Sequence, residues 1–217
     1  MRKLHPAGAD ETLVDTGRWI RPGHAAETWT THLDPDGRRI VRVETTAGDL
    51  WHVVLAPDGR PERLEARLVE AGPARDDAAG PAVVDVACTG FDDEVLIWRR
   101  GAEPASEAVA VPPGYRLLWP PLAGRAECLA AWLDRTPRQG PDAVMLLSVA
   151  RRPAARGGLR FRPVKFTLRA EDAPHGARRI HLTTPGLPDA WAEVDAAGRL
   201  VRWAEGGAVA ERGAAGP

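Results

Sequence analysis

Trp29-Thr30-Thr31-His32-Leu33-Asp34-Pro35-Asp36-Gly37-Arg38-Arg39-Ile40-Val41-Arg42-Val43-Glu44-Thr45 reads as two strands joined by a turn. Trp29, Thr31 and Leu33 alternate with Thr30 and His32, and after the turn Val41, Val43 and Thr45 alternate with Arg42 and Glu44. Pro35 stands where a type I turn wants φ of roughly −65°, and Gly37 takes the left-handed position that closes a G1-bulge hairpin. The same design recurs at Ala56-Pro57-Asp58-Gly59-Arg60 and, with alanine for proline, at Asp195-Ala196-Ala197-Gly198-Arg199. After the second turn, Leu64, Ala66 and Leu68 alternate with Arg63, Glu65 and Arg67. Trp191 to Val194 and Leu200 to Trp203 flank the third. Alternation about tight turns predicts antiparallel hairpins, each with one wet face.

Working outward, further strands are expected at Ala82 to Thr89, Glu94 to Arg100, Ala108 to Val111, Ala143 to Ala150, Leu159 to Arg169 and Arg178 to Thr183. One segment has a helical period. Behind Pro120-Pro121, Leu122, Ala126, Leu129 and Leu133 recur at i, i+4, i+7 and i+11, and Thr136-Pro137 ends the run. About ten antiparallel strands and one amphipathic helix predict a mainly β fold: a strongly curved antiparallel sheet, a half-barrel, wrapped around one main α-helix. A closed barrel and a sandwich fit the same pattern. No shift in composition demands a second domain, so residues 1–204 are expected to form one unit. Residues 205–217 are rich in Gly, Ala and charge, and read as a disordered tail.

The chain has 217 residues, with 29 Lys and Arg against 30 Asp and Glu, a net charge of −1. That balance supplies no field for nucleic acid, so no nucleic-acid partner is expected. No apolar run approaches the ~18 residues of a transmembrane helix, and the start, Met1-Arg2-Lys3-Leu4-His5-Pro6, lacks the apolar core of a secretory signal. The expectation is a soluble, cytoplasmic protein. Cys88 and Cys128 each lie in an apolar stretch and read as buried free thiols.

The composition narrows the chemistry. The chain has no asparagine, its only serines are Ser106 and Ser148, and no phosphate loop, G-x-S-x-G, C-x-x-C or H-E-x-x-H occurs. Covalent catalysis is disfavoured, no catalytic residue is assigned, and no cofactor or metal is expected. Pairing Thr89 with Glu94 places Asp85 opposite Trp98, with Arg100 its diagonal neighbour on the same face. A carboxylate in an otherwise apolar strand needs a partner, which Arg100 can supply. The trio is either a structural ion pair beside an aromatic or a patch that binds ligand hydroxyls and stacks a ring. Arg160-Phe161-Arg162-Pro163-Val164-Lys165-Phe166 carries a proline that marks an edge or a bulge. There Arg162 and Lys165 are placed to meet an anionic head group, or simply to keep an edge soluble. The eight tryptophans are expected mostly in the core, with Trp98 the one to contact ligand. His52 and His181 sit in strands as acid–base candidates. The sets Arg42/Glu44 and Arg63/Glu65/Arg67 read as solvated faces.

Val83-Val84-Asp85-Val86-Ala87-Cys88-Thr89-Gly90-Phe91, followed by Val95-Leu96-Ile97-Trp98-Arg99-Arg100, resembles the central hairpin of a bacterial family described as glycolipid-binding. Phe161-Arg162-Pro163-Val164-Lys165, ahead of a final hairpin at Ala192 to Leu200, resembles the same family. The resemblance implies a half-barrel akin to the lipoprotein carriers LolA and LolB. It departs from the family between Trp119 and Ala150 and at Asp92-Asp93-Glu94. The functional expectation is non-enzymatic binding of an amphipathic, lipid- or glycolipid-like small molecule in the concave face, through Asp85, Trp98, Arg100, Arg162 and Lys165. The alternatives are an isomerase or cyclase using acid–base chemistry in the same cavity, and a protein-interaction module using a sheet edge.

Overall fold

The computed structural model describes residues 4–70, 82–90, 93–100, 105–113, 115–119, 121–133, 142–151, 158–186 and 188–213. Eight strands come first: β1 (Thr12–Ile20), β2 (Glu27–Leu33), β3 (Arg39–Thr45), β4 (Leu50–Leu55), β5 (Pro61–Glu70), β6 (Ala82–Gly90), β7 (Glu94–Arg100) and β8 (Ala105–Ala110). The short β9 (Arg116–Leu118) leads into helix α1 (Leu122–Leu133). Then follow β10 (Asp142–Arg151), β11 (Leu159–Asp172), β12 (Arg178–Thr183), β13 (Ala190–Val194), β14 (Leu200–Glu205) and β15 (Ala208–Gly213). All the strands form one sheet in the order β8 to β1, then β15 back to β9.

The sheet is therefore a meander that runs out from its middle to one edge, jumps to the other edge, and returns. Among the described residues every pairing is antiparallel except β9 with β10. A parallel pair cannot be joined by a tight turn and needs a crossover of a dozen or more residues. Helix α1 lies in that crossover, which is why an all-β chain has a helix here. The three glycine turns behave as the sequence predicts: Gly37, Gly59 and Gly198 have φ of 77°, 80° and 77°. Each closes its loop by a backbone bond to the residue three positions back, at 2.8–3.0 Å.

The sheet is large, curved and unclosed, and its inner face is filled. Trp19, Trp29, Trp51, Trp119 and Trp203 are buried in one cluster with Leu64, Ile97, Leu129, Leu168 and Ile180. Helix α1 sets Leu122, Ala123, Cys128 and Leu129 into it, and its Glu127 accepts from Arg39 of β3 at 2.7 and 3.0 Å. Arg99, which alternation turns inward on β7, donates to the Leu159 carbonyl of β11 at 3.2 Å and so ties one end of the sheet to the other half. Both cysteines are free and buried, and burial pushes each thiol up to about 12. Among the described residues no helix is long and apolar enough to cross a membrane.

The expected disordered tail is corrected over most of its length. Residues 208–213 are strand β15, paired with β14 on one side and β1 on the other. Gly206 and Gly207, with φ of 56° and 81°, form the two-residue turn that brings it round. Two adjacent left-handed residues are what such a hairpin needs, and glycine meets that need without strain. Residues 214–217 lie outside the described residues.

Candidate functional site

Alternation on β3 to β7 sends Val41, Val43, Trp51, Val53, Leu64, Ala66, Val84 and Val86 to the core. The intervening side chains face outward. Two outward rows cross the strands. One runs Arg42, His52, Glu65, Ala87, Trp98 and Ser106; the next runs Glu44, Leu50, Arg67, Asp85 and Arg100. Asp85 thus stands opposite Arg100, and Trp98 opposite Ala87. The register differs from the sequence expectation by two residues, which leaves every side chain on its expected face. The connection between β6 and β7 sets that offset, and its Phe91 and Asp92 lie outside the described residues. Asp85 pairs with Arg67 of β5, which donates to both carboxylate oxygens at 2.8 and 3.1 Å.

This outward face is not bare. The segment from Leu4 to Glu11 lies across β3 to β5 and is anchored by Arg42, which is only 2% exposed. Arg42 donates from Nε to the His5 carbonyl at 2.7 Å, and from both terminal nitrogens to Glu11 at 2.8 Å. Those hydrogen bonds hold the Glu11 carboxyl below its ordinary value. Arg42 and Glu65, expected on solvated faces, are instead covered or partly covered. The sequence hid this because a strap without periodicity has no pattern that announces where it lands.

The leading end of the strap and the sheet bound a groove of about 840 Å³. Leu4, His5 and Leu50 form one side, Glu65, Arg67, Asp85 and Ala87 the floor, and Trp98, Arg100 and Ser106 the far side. Trp98 is 45% exposed, whereas Trp19, Trp29, Trp51, Trp119 and Trp203 are 3% or less. Trp191 is half-buried beneath the Arg179 guanidinium, and the Trp132 side chain lies outside the described residues.

At the groove's inner end, three groups converge. His5 Nε2 lies 2.5 Å from Glu65 Oε2, and His52 Nδ1 lies 3.5 Å from the same oxygen. The two imidazole rings meet edge to face, with centroids 4.6 Å apart. Burial, followed by the charges of His5 and Arg42, pushes His52 down to about 4, so the imidazole is neutral near pH 7. Burial works against the ionised Glu65, but Arg63 and His5 outweigh it and hold the carboxyl below its ordinary value.

The structure unites Asp85, Trp98 and Arg100 but does not bring Arg162 and Lys165 to them. Arg162 and Lys165 are exposed on β11 and do not line the groove. Pro163 lies where β11 pairs with β10 alone, since β12 joins only from Thr167, and this is the edge-like setting that proline requires. The united trio is on the outward face, not in the concavity, because the side chains filling the inner face are those of opposite parity. His181 is paired with Glu171 at 3.0 Å on the surface.

A second hollow, of about 190 Å³, opens at one end of the sheet where α1 begins. Trp19, Trp51, Arg21, Asp49, Arg125 and Arg151 surround Glu27 there. Glu27 accepts the Leu122 N–H at 2.7 Å, and burial raises its carboxyl to about 7. Sequence reading passed over Glu27, which precedes the alternating run and carries no motif.

No protein-family model matches the chain, and no curated protein matches it in sequence. Among solved structures, the fold is similar to a β-barrel-like protein of the domain of unknown function DUF1849 from Brucella abortus. The TM-score is 0.47 and the identity 10%, covering 91% of this chain and 93% of that one. A DUF1089 family protein from Pseudomonas aeruginosa is similar at a TM-score of 0.45 and 12% identity, over 94% of both chains. At these scores neither likeness bears on function.

Proposed function

We propose that the protein binds an amphipathic, lipid- or glycolipid-like ligand in the outward groove between the strap and Trp98. The observation that carries the reading is Trp98 itself: a large indole left half in water, facing a groove that also holds a polar cluster. An indole offers an apolar face and one N–H donor, which suits a ring bearing hydroxyls or the first carbons of a chain. Arg100 and the Arg67–Asp85 pair supply donors and acceptors for a head group, while Leu4, Leu50 and Ala87 take apolar surface. The resemblance of this hairpin to the glycolipid-binding family supports the same reading. The test is native mass spectrometry of the purified protein, with extraction of co-purifying molecules and thermal shifts across a lipid panel. Recovery of a bound lipid or a ligand-induced rise in Tm is expected. Failure of both would end the proposal.

A second reading rests on Glu27. A buried carboxyl with a value near 7, beside two tryptophans and several arginines, suits acid–base chemistry on a small anionic metabolite. It places the enzyme alternative in the end hollow rather than in the groove. Thermal shifts with small organic acids, lost in Glu27→Gln, would support it; none across such a panel would remove it.

A further inference from the structure

We infer that His5, His52 and Glu65 form a binding site for one divalent cation of the zinc class, completed by the strap and open toward the groove. Each residue offers one ligand atom, and these atoms all lie within 4.8 Å of one another. Ligands on a tetrahedral zinc with bonds near 2.0–2.1 Å stand roughly 3.3 Å apart, so small rotations of His5 and Glu65 close the set. Two imidazole nitrogens and one carboxylate oxygen favour zinc and its neighbours over magnesium and calcium, which take oxygen ligands.

The independent observation is His52. Its side chain is only 10% exposed, yet among the described residues Nδ1 has no hydrogen-bond partner. A buried nitrogen left unmatched is costly, and native folds rarely leave one without reason. Here it is aimed at the gap beside Glu65 Oε2, where a cation would satisfy it. The surroundings support the ligands as an outer shell does. Arg63 Nη2 holds Glu65 Oε1 at 2.5 Å and leaves Oε2 to face the histidines. Arg42 fixes the His5 carbonyl at 2.7 Å, and its own charge is matched by Glu11. Three protein ligands leave a fourth position, the pattern of a site that admits water or a ligand atom. His5 and Glu65 both line the groove, so that position faces the groove. A phosphate, carboxylate or hydroxyl oxygen of a bound molecule is the chemistry it would take. The inference stands without the lipid reading.

The test uses the full chain, stripped with a chelator and titrated with Zn²⁺ by calorimetry, with Co²⁺ as the spectroscopic probe. One equivalent should bind and raise Tm, and Co²⁺ should show the visible bands of a four- or five-coordinate nitrogen and oxygen site. His5→Ala lies in the strap and spares the core; it should weaken binding roughly ten-fold or more, as should Glu65→Gln. His175→Asn, on a remote turn, should change nothing. Absence of stoichiometric binding, or binding undiminished in both His5→Ala and Glu65→Gln, would overturn the site. Lipid shifts measured on the stripped protein separate the two proposals: losing the cation site leaves such shifts in place, and losing the shifts leaves the titration in place.

Discussion

The Glu27 carboxylate accepts the backbone N–H of Leu122 at 2.7 Å, and so caps the first turn of the helix from a strand 95 residues away. Helix α1 has no acidic residue of its own in that turn. A helix start leaves N–H groups unsatisfied and favours negative charge, and here the missing group comes from the start of β2.

That arrangement has a pH signature. Burial raises the Glu27 carboxyl from its ordinary 4.5 to about 7. Between those values the folded state keeps a proton that the unfolded chain has released, so stability falls as pH rises through the window and is level above it. The loss is about 3 kcal/mol. Glu27→Gln keeps an oxygen for Leu122 and carries no charge. Its Tm should therefore gain on the native protein between about pH 5 and 8. Parallel Tm curves for the two proteins would show that burying the charge costs nothing.

Gly124 sets two magnitudes against each other. Replacing a helix glycine by alanine ordinarily gains about 1 kcal/mol. A Cβ here would overlap the indole ring of Trp119, which is fully buried and cannot step aside. Overpacking of that kind costs about 1–3 kcal/mol or more, so Gly124→Ala should lower stability in a urea melt despite its better propensity.

Trp98→Ala separates ligand binding from folding. The side chain is half in water, so the loss of unfolding free energy should stay below the roughly 3–5 kcal/mol of a fully buried tryptophan, and the protein should still fold. Affinity for a ligand identified by extraction should fall roughly ten-fold, a difference of about 1.4 kcal/mol. An unchanged affinity would take Trp98 out of the site.

Ending the chain after Glu205 tests the last strand. A disordered tail could be cut without effect. Strand β15 instead covers the edges of β1 and β14 and buries Ala210. Its removal should cost a large share of the roughly 5–15 kcal/mol that holds a domain together, and leave two bare edges prone to aggregate. Circular dichroism melts and light scattering would both report it.

Much of this fold was legible in local signals. The three turns carry their own chemistry, so hairpins β2–β3, β4–β5 and β13–β14 could be read residue by residue. Parity alone put Asp85, Trp98 and Arg100 on one face, and it survived a two-residue error in register. The same parity points Arg99 inward, as its burial shows. Gly206-Gly207 was likewise a readable turn, masked by a composition that resembles a tail. The rest depends on contacts between segments far apart. Nothing around Leu4 to Glu11 says that it will cover Arg42 and reach Glu65. Nothing near Glu27 says that it will meet a helix start 95 residues later. For the same reason His5 and His52, which share no helical spacing, came together only in three dimensions.

The pairing of β1 with β15 also sets the order of events during synthesis. Arg212 of β15 bonds Asp15 of β1 across a separation of 197 residues. The first eight strands can zip together as they emerge, but β1 must keep one edge unpaired until nearly every other strand has been made. The two halves of the sheet can join only then, and contacts of such long range are slow to form. Protection of that edge by a chaperone or by slowed aggregation, rather than the stability of the finished sheet, would then decide how much protein reaches its native state.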